Sequence, residues 1–226
     1  MSERLDDIVS DLVCQVISAT GTYEYLDSTC QKHLFAERRL STLKRKITNY
    51  KRRIEYRNGI TSFPDTLSVE MDLDHCISSL RSSLEHLAQL INSVVRLGLQ
   101  STGYGKDTVS LQNVINAIDG SPKFKNNPNL SKLSSFLRNE MGKDWYKELH
   151  KLRIEMYHHK SRDILNHASP RTDPNKMDEL FLIPQEVAIS AKTKRDREIC
   201  CFCQNRIKDI ENVLYNSFYL ISKYLS

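Results

Sequence analysis

Residues that interrupt helices are scarce in this sequence. Its 226 residues include only seven glycines and six prolines. Glycine and proline are the strongest local breakers of regular structure, so their scarcity predicts long helices.

Long apolar runs are also missing. Hydrophobic residues make up 39% of the chain and charged residues 27%, which is typical of a soluble globular protein and argues against a disordered tail. No apolar stretch is long enough to span a bilayer. The segment from Met1 to Asp7 lacks the basic start and following apolar run of a signal peptide. We therefore expect a cytoplasmic protein with no membrane partner.

Motifs for familiar cofactors and metals are absent as well. The chain has no glycine-rich phosphate loop, no nucleophile elbow and no His-Glu-x-x-His helix. Its six cysteines lie in helical patterns among apolar neighbours and are interpreted as reduced thiols in the core. The cluster Cys200-Cys201-Phe202-Cys203 has no histidine or second cysteine pair at ligand spacing. The sequence thus predicts neither a metal nor a cofactor.

Apolar residues recur at spacings of three and four, which is typical of amphipathic helices. The pattern predicts helices over about residues 5–18, 23–58, 66–94, 111–118, 130–142, 143–156 and 194–224. A short extended piece is predicted over Phe181–Pro184. We therefore expect an all-α antiparallel bundle of four principal long helices plus short additional helices, forming a single domain over residues 1–226.

Basic residues accumulate in the second predicted helix, at 44–46, 51–53 and Arg57, in a chain of formal charge +5. They form either a nucleic-acid stripe or a solvated outer face whose aliphatic stems cover the apolar seam. The second interpretation is favoured because aromatic residues for base stacking are not interleaved.

The segment from Leu149 to Lys160 concentrates groups suited to phosphodiester chemistry. Metal-free RNA cleavage needs a group that removes the 2′-OH proton, a group that protonates the leaving oxygen, and cations that stabilise the phosphorane. Arg153 is a candidate phosphate clamp and His158 a candidate general base or acid. The groups expected to bind phosphate or RNA beside them are His150, Tyr157, His159 and Lys160.

Helical geometry constrains this candidate site. Residues five apart on a straight helix point about 140° from one another, so Arg153 and His158 would not converge on one phosphate. They converge if the helix ends or distorts near His158. Alternatively, a two-fold dimer brings the same helix from two chains together.

The spacing of Arg153 and His158 resembles that of the HEPN superfamily, whose small helical domains carry Arg, four to six residues, then His on a late helix. The helix from Cys76 to Asn92 is similar to a Leu-Arg-Ser-x-Leu-x-His-Leu helix of related bacterial proteins. The resemblance covers about residues 72–167. It implies an endoribonuclease that acts as a homodimer on RNA, with the two motifs facing each other in a cleft.

One residue departs from that pattern, and a second pair of residues also matches it. The residue after the arginine is usually polar in the family, whereas here it is Ile154. Arg162 and His167 have the same spacing, and the residue after this arginine, Asp163, is polar. They are a competing location for the motif. Arg153 and His158 are preferred because they lie deeper in the helical pattern.

Other functions remain open from the sequence. The chain could be a non-catalytic HEPN-like module that binds a nucleotide or a protein, as a toxin, antitoxin or defence component. It could also be a structural dimer formed through the seam from Leu40 to Ile54. Arg153 and His158 would then only brace a helix end. Arg81, Glu85 and His86 are expected to pair locally along their helix.

Overall fold

The structure is a computed structural model that describes residues 3–16, 22–56, 66–100, 108–158 and 181–226. The helices in these ranges are α1 (Glu3–Val16), α2 (Thr22–Tyr56), α3 (Thr66–Val95), α4 (Leu111–Gly120), α5 (Pro122–Lys125), α6 (Pro128–Gly142), α7 (Asp144–His158) and α8 (Ile199–Leu225). The predicted all-α helical bundle is confirmed. None of the helices in the described ranges is both long and apolar enough to cross a membrane.

The start of α8 differs from the prediction by five residues. Arg195–Arg197 form a 3-10 turn instead, and Glu198 is extended and bridges Leu182. The amide of Ile183 donates to the carbonyl of Arg197 (2.8 Å), and the amide of Ile199 donates to that of Phe181 (3.1 Å). These bonds confirm the extended piece at Phe181–Pro184. Since Glu198 is extended, α8 begins at the next residue, Ile199, and not at residue 194 as predicted.

Backbone contacts group the chain into two compact units. The first contains the described residues of Met1–Leu34, Leu80–Lys143 and Lys208–Ser226, and the second those of Phe35–Ser79 and Asp144–Ile207. Each unit combines segments that are distant in sequence. A single domain over residues 1–226 stays a prediction.

The first unit packs around fully buried aliphatic side chains. Prominent members of this core are Leu5, Leu12, Leu26, Leu84, Leu87, Ile91, Ile115, Leu133, Leu214 and Phe218. Local signals set its shorter helices. Ser110 caps α4 by accepting from the amide of Asn113, and Asn127 caps α6 directly before Pro128. Asp119 on α4 accepts from Ser134 on α6 (2.8 Å), which ties these two helices together.

The end of α3 is held by a side-chain clamp. Arg96 and Gly98 have φ values of 58° and 79°, in the left-handed region, and glycine adopts that conformation without strain. The Asn92 amide group then binds the backbone of Leu99 twice, donating to its carbonyl (3.0 Å) and accepting from its N–H (3.1 Å). This clamp satisfies backbone groups that the helix no longer pairs.

The second unit joins α2, α3, α7, α8 and the segment 181–198. Its core includes Ala36, Leu40, Leu43, Leu73, Cys76, Trp145, Leu149, Leu152, Ile183, Phe202 and Cys203. Buried Asp72 on α3 pairs with Arg39 (3.3 Å) and Lys46 (2.5 Å) of α2. Because Leu40 and Leu43 are buried within the chain itself, they are not available as a dimer seam.

We predict that Leu87→Ala lowers the free energy of unfolding by about 2–5 kcal/mol, because Leu87 is fully buried and its truncation leaves a cavity. Leu225→Ala is the matched control in the same unit, since Leu225 is 39% exposed, and it should cost less than about 1 kcal/mol. Urea unfolding followed by circular dichroism measures both. Equal losses for the two variants would contradict the assigned core.

Candidate functional site

The candidate site lies on α7, in the second unit. Trp145, Leu149 and Leu152 are buried and line its inward side at spacings of four and three. His150 is exposed on the opposite side, and Arg153 is half-buried. The sequence pattern therefore orients the helix so that its apolar stripe faces the core and its cationic residues lie outward.

A buried ion pair anchors the inward side of α7. The Glu148 side chain is fully buried, and one carboxylate oxygen accepts a hydrogen bond from Arg206 Nη1 on α8 (2.6 Å). The other accepts from the backbone N–H of Ser190 (2.5 Å). The Arg206 guanidinium also lies over the Phe202 ring, 5.2 Å from its centroid. Both carboxylate oxygens are thus satisfied, as a charge removed from water requires.

Sequence reasoning missed this pair, although a signal was present. Glu148 lies three residues after Trp145 and four before Leu152, inside the apolar stripe. Arg206 lies four after Phe202, inside the stripe of α8. A charged residue at a core position predicts a buried partner, but the pattern could not show that the two are partners of each other.

The segment after Phe181 holds α7 at a second point. Lys151 Nζ donates to the carbonyl oxygen of Glu186 (2.7 Å), one turn away from the Ser190 contact with Glu148. Two bonds to one segment, one turn apart along the helix, thus fix α7 on one flank of its apolar stripe. These bonds fix the orientation of α7 about its own axis, and with it the direction of its outward residues.

The candidate residues are only partly within the described structure. His150 and Arg153 are three residues apart and are therefore neighbours on the helix surface. His158 is the last described residue of α7, and the side chains of Tyr157 and His158 lie outside the described residues. The rest of the candidates, His159 and Lys160 together with the competing pair Arg162 and His167, also lie outside them.

Ile154 is 43% exposed on the outward side of α7. It is the residue that departs from the family pattern, and the structure leaves its apolar side chain accessible beside Arg153. An exposed apolar side chain at this position would either make the surroundings of Arg153 less polar or contact the surface of a partner protein.

Arg81, Glu85 and His86 lie on α3 in the first unit, whereas Arg153 lies in the second. Arg81 Nε is 3.8 Å from Glu85 Oε1, which confirms the expected local ion pair. The pKa of half-buried His86 is lowered by loss of hydration and by the charge of Lys32, and Glu85 partly offsets this.

The cysteines are reduced, but not all of them are core residues. Cys30, Cys76 and Cys203 are buried, while Cys14 is exposed, so the core prediction was wrong for Cys14. Burial and the nearby carboxylates of Asp27 and Asp6 raise the pKa of Cys30 to about 12. A hydrogen bond with Cys76, together with burial, raises the pKa of Cys203. Among the described residues, no group of three or more His, Cys, Asp or Glu side chains could hold a metal ion.

Comparison with protein-family models, with curated proteins and with solved structures finds no match to this chain. The resemblance to the HEPN superfamily rests on the sequence alone.

We predict that Glu148→Gln lowers the free energy of unfolding by about 3–5 kcal/mol, because it leaves the buried Arg206 charge uncompensated. Lys147→Ala on the same helix breaks the exposed pair with Asp144 and should cost no more than about 1 kcal/mol. The double variant Glu148→Leu with Arg206→Met should recover most of the loss, since it removes both charges. Urea unfolding measures all three, and a Glu148→Gln protein as stable as the parent would contradict the anchoring role.

The lowered pKa of His86 predicts a pH effect of defined sign. The unfolded chain binds the imidazole proton more tightly, so the contribution of His86 to stability is present above about pH 6.5 and is lost as pH falls through the folded pKa. Lys32→Gln should raise the folded pKa by removing the repulsion, and Lys132→Gln, a distant exposed control, should leave it unchanged. NMR titration of the His86 imidazole measures this folded-state pKa. A Lys32→Gln protein with the parent pKa would refute the assigned cause.

Proposed function

We propose that the protein is a HEPN-like endoribonuclease that cleaves RNA without a metal ion and acts as a homodimer in the cytoplasm. The observation that supports this most directly is that His150 and Arg153 are neighbours on the surface of α7, three residues apart. Glu148 anchors the opposite side of the helix, so both groups are presented on a fixed element.

In the proposed reaction, the guanidinium of Arg153 holds the non-bridging phosphate oxygens and stabilises the charge of the phosphorane. His158 removes the proton from the 2′-hydroxyl, whose oxygen attacks phosphorus. The bond from phosphorus to the 5′ oxygen then breaks, and that oxygen takes up a proton. Two proton-transfer groups are needed, and a homodimer supplies two copies of His158.

The dimer also answers a geometric problem. Arg153 and His158 point about 140° apart on a regular helix, so one chain presents them to different directions. Two copies of α7 facing each other across a two-fold axis would let the arginine of one chain serve the histidine of the other. His150, Tyr157, His159 and Lys160 would line the same cleft and bind the RNA backbone.

A second function is favoured by Ile154. Its exposed apolar side chain occupies a position that is usually polar in the family, beside the proposed phosphate clamp. This suits a non-catalytic module that binds a nucleotide or a partner protein, as a toxin, antitoxin or defence component. In that case Arg153 would bind phosphate without cleavage.

We predict that Arg153→Ala and His158→Ala each lower the rate of RNA cleavage at least about 100-fold, because each removes a group that acts in the transition state. Arg153→Lys should recover only part of the rate, since an ammonium cannot hold phosphate bidentately. Lys132→Ala, an exposed cation in the first unit, is the matched control and should keep the parent rate. The assay uses labelled RNA in the presence of EDTA.

The controls separate the two functions. If Arg153→Ala and His158→Ala degrade RNA as fast as the parent, the cleavage comes from a contaminant and the ribonuclease proposal is wrong. If the parent binds nucleotide without cleaving RNA, and Arg153→Ala loses that binding, the non-catalytic function is supported. Light scattering of the parent tests the dimer separately.

A further inference from the structure

Three arginines lie along one line of α2 in the second unit. Arg38, Arg45 and Arg52 are all exposed and are spaced seven residues apart. Seven residues return to nearly the same direction on a helix, within about 20°. We call these three residues the arginine row.

The arginine row points away from the core of its unit. Ala36, Leu40 and Leu43 are buried and lie on the other side of the helix, about 140–200° around from Arg38. The exposed side chains between the arginines include Ser41 and Asn49, which are polar and uncharged.

Three other cations of α2 have partners in the described part of the structure. Arg39 and Lys46 pair with buried Asp72, and Lys44 donates to Gln204 (3.1 Å). Among the residues that the structure describes, no acidic side chain forms an ion pair with the arginine row. Within the basic run at 44–46, the structure thus separates Lys44 and Lys46, which have partners, from Arg45, which belongs to the arginine row.

Positive charge is also concentrated in this part of the chain. The segment from Phe35 to Arg52 contains seven basic residues and one acidic residue, a net charge of +6. The whole chain carries +5, so everything outside this segment sums to a net charge of −1. Since Arg39 and Lys46 are paired with Asp72, the exposed positive charge on this helix comes mainly from Lys44 and the arginine row, and such a cluster is the electrostatic footprint of a polyanion partner.

We infer that the arginine row docks the phosphate backbone of double-helical RNA. Guanidinium groups bind phosphate oxygens bidentately. The row presents them about 10 Å apart over about 21 Å of rigid helix, calculated from the helical rise. Single strands are bound by successive aromatic platforms, and the sequence carries one aromatic residue, Tyr50, between these arginines. A duplex hides its bases and exposes its backbone, and double-stranded RNA is recognised mostly by shape and by phosphate and 2′-hydroxyl contacts.

This inference extends the proposed function by naming the form of RNA that is bound, and its charge argument does not depend on cleavage. It predicts binding without base specificity and with a steep dependence on salt. Each phosphate that is neutralised contributes about 0.9 to the slope of log K against log salt on a B-form duplex, so three contacts contribute about 2.7.

The test is fluorescence anisotropy with a labelled RNA duplex of two helical turns that carries 2′-O-methyl groups and so cannot be cleaved. The triple variant Arg38→Gln, Arg45→Gln, Arg52→Gln should weaken binding at least about tenfold and lower the salt slope by about 2.7. The matched control Lys125→Gln, Lys132→Gln, Lys208→Gln removes the same charge from exposed positions elsewhere and should change binding less than about twofold. A triple Arg→Lys variant keeps the charge and should retain most of the affinity, which excludes misfolding as the cause.

The inference is overturned if the arginine-row variant binds like the parent, or if the lysine control weakens binding as much. Tighter binding of a single strand than of the duplex would also overturn it. So would equal competition by polyglutamate, which would assign the row to an acidic protein partner. A parent that binds the duplex but cleaves no RNA supports the inference while removing the proposed ribonuclease function. If the parent cleaves RNA and the arginine-row variant binds the duplex as tightly as the parent, the ribonuclease function is supported and the inference is overturned.

Discussion

The second unit depends on the buried ion pair between Glu148 and Arg206. A carboxylate without any exposed surface is tolerated only when its oxygens find donors, and Glu148 obtains one for each oxygen, from Arg206 on α8 and from the backbone of Ser190. One side chain thus connects α7, the segment after Phe181 and α8. The two charges are satisfied only when α7, the segment after Phe181 and α8 are all in place. The main effect of the pair is therefore to select one arrangement of these elements, and its net contribution to stability is smaller.

Anchoring one side of α7 has a structural consequence for its other side. A helix whose inward face is fixed at Glu148 and Lys151 presents its outward residues in a constant direction, and Arg153 and His150 are among them. Sites for phosphate chemistry need this rigidity, because a displaced clamp loses its advantage in the transition state. The arginine row belongs to the same unit and supplies a separate, longer-range attraction for a polyanion. Holding and cleaving RNA would then use different helices of one unit.

The helices were largely predictable because their signals are local. The stripe of Leu80, Leu84 and Leu87 specifies α3, and Ser110 and Asn127 mark where α4 and α6 begin. The start of α8 was not predictable, since Glu198 leaves the helix only because a distant segment offers it a backbone partner at Leu182. The exposure of Cys14 could have been predicted. It lies two residues after Leu12 and so points about 200° away from it, opposite the buried stripe of Leu5 and Leu12.

For the candidate site, the residue types and their spacing were visible in the sequence, and so was the geometric conflict between Arg153 and His158. The sequence by itself determined the all-α class, the helical segments and the location of the cationic groups, because periodicity, caps and charge are properties of neighbouring residues. Only the tertiary structure decided which charges have structural partners. It committed Lys46 to Asp72 and Arg206 to Glu148, and it left Arg45 exposed in the same basic run as Lys46. Such pairing depends on residues far apart in the chain that meet only when the core forms.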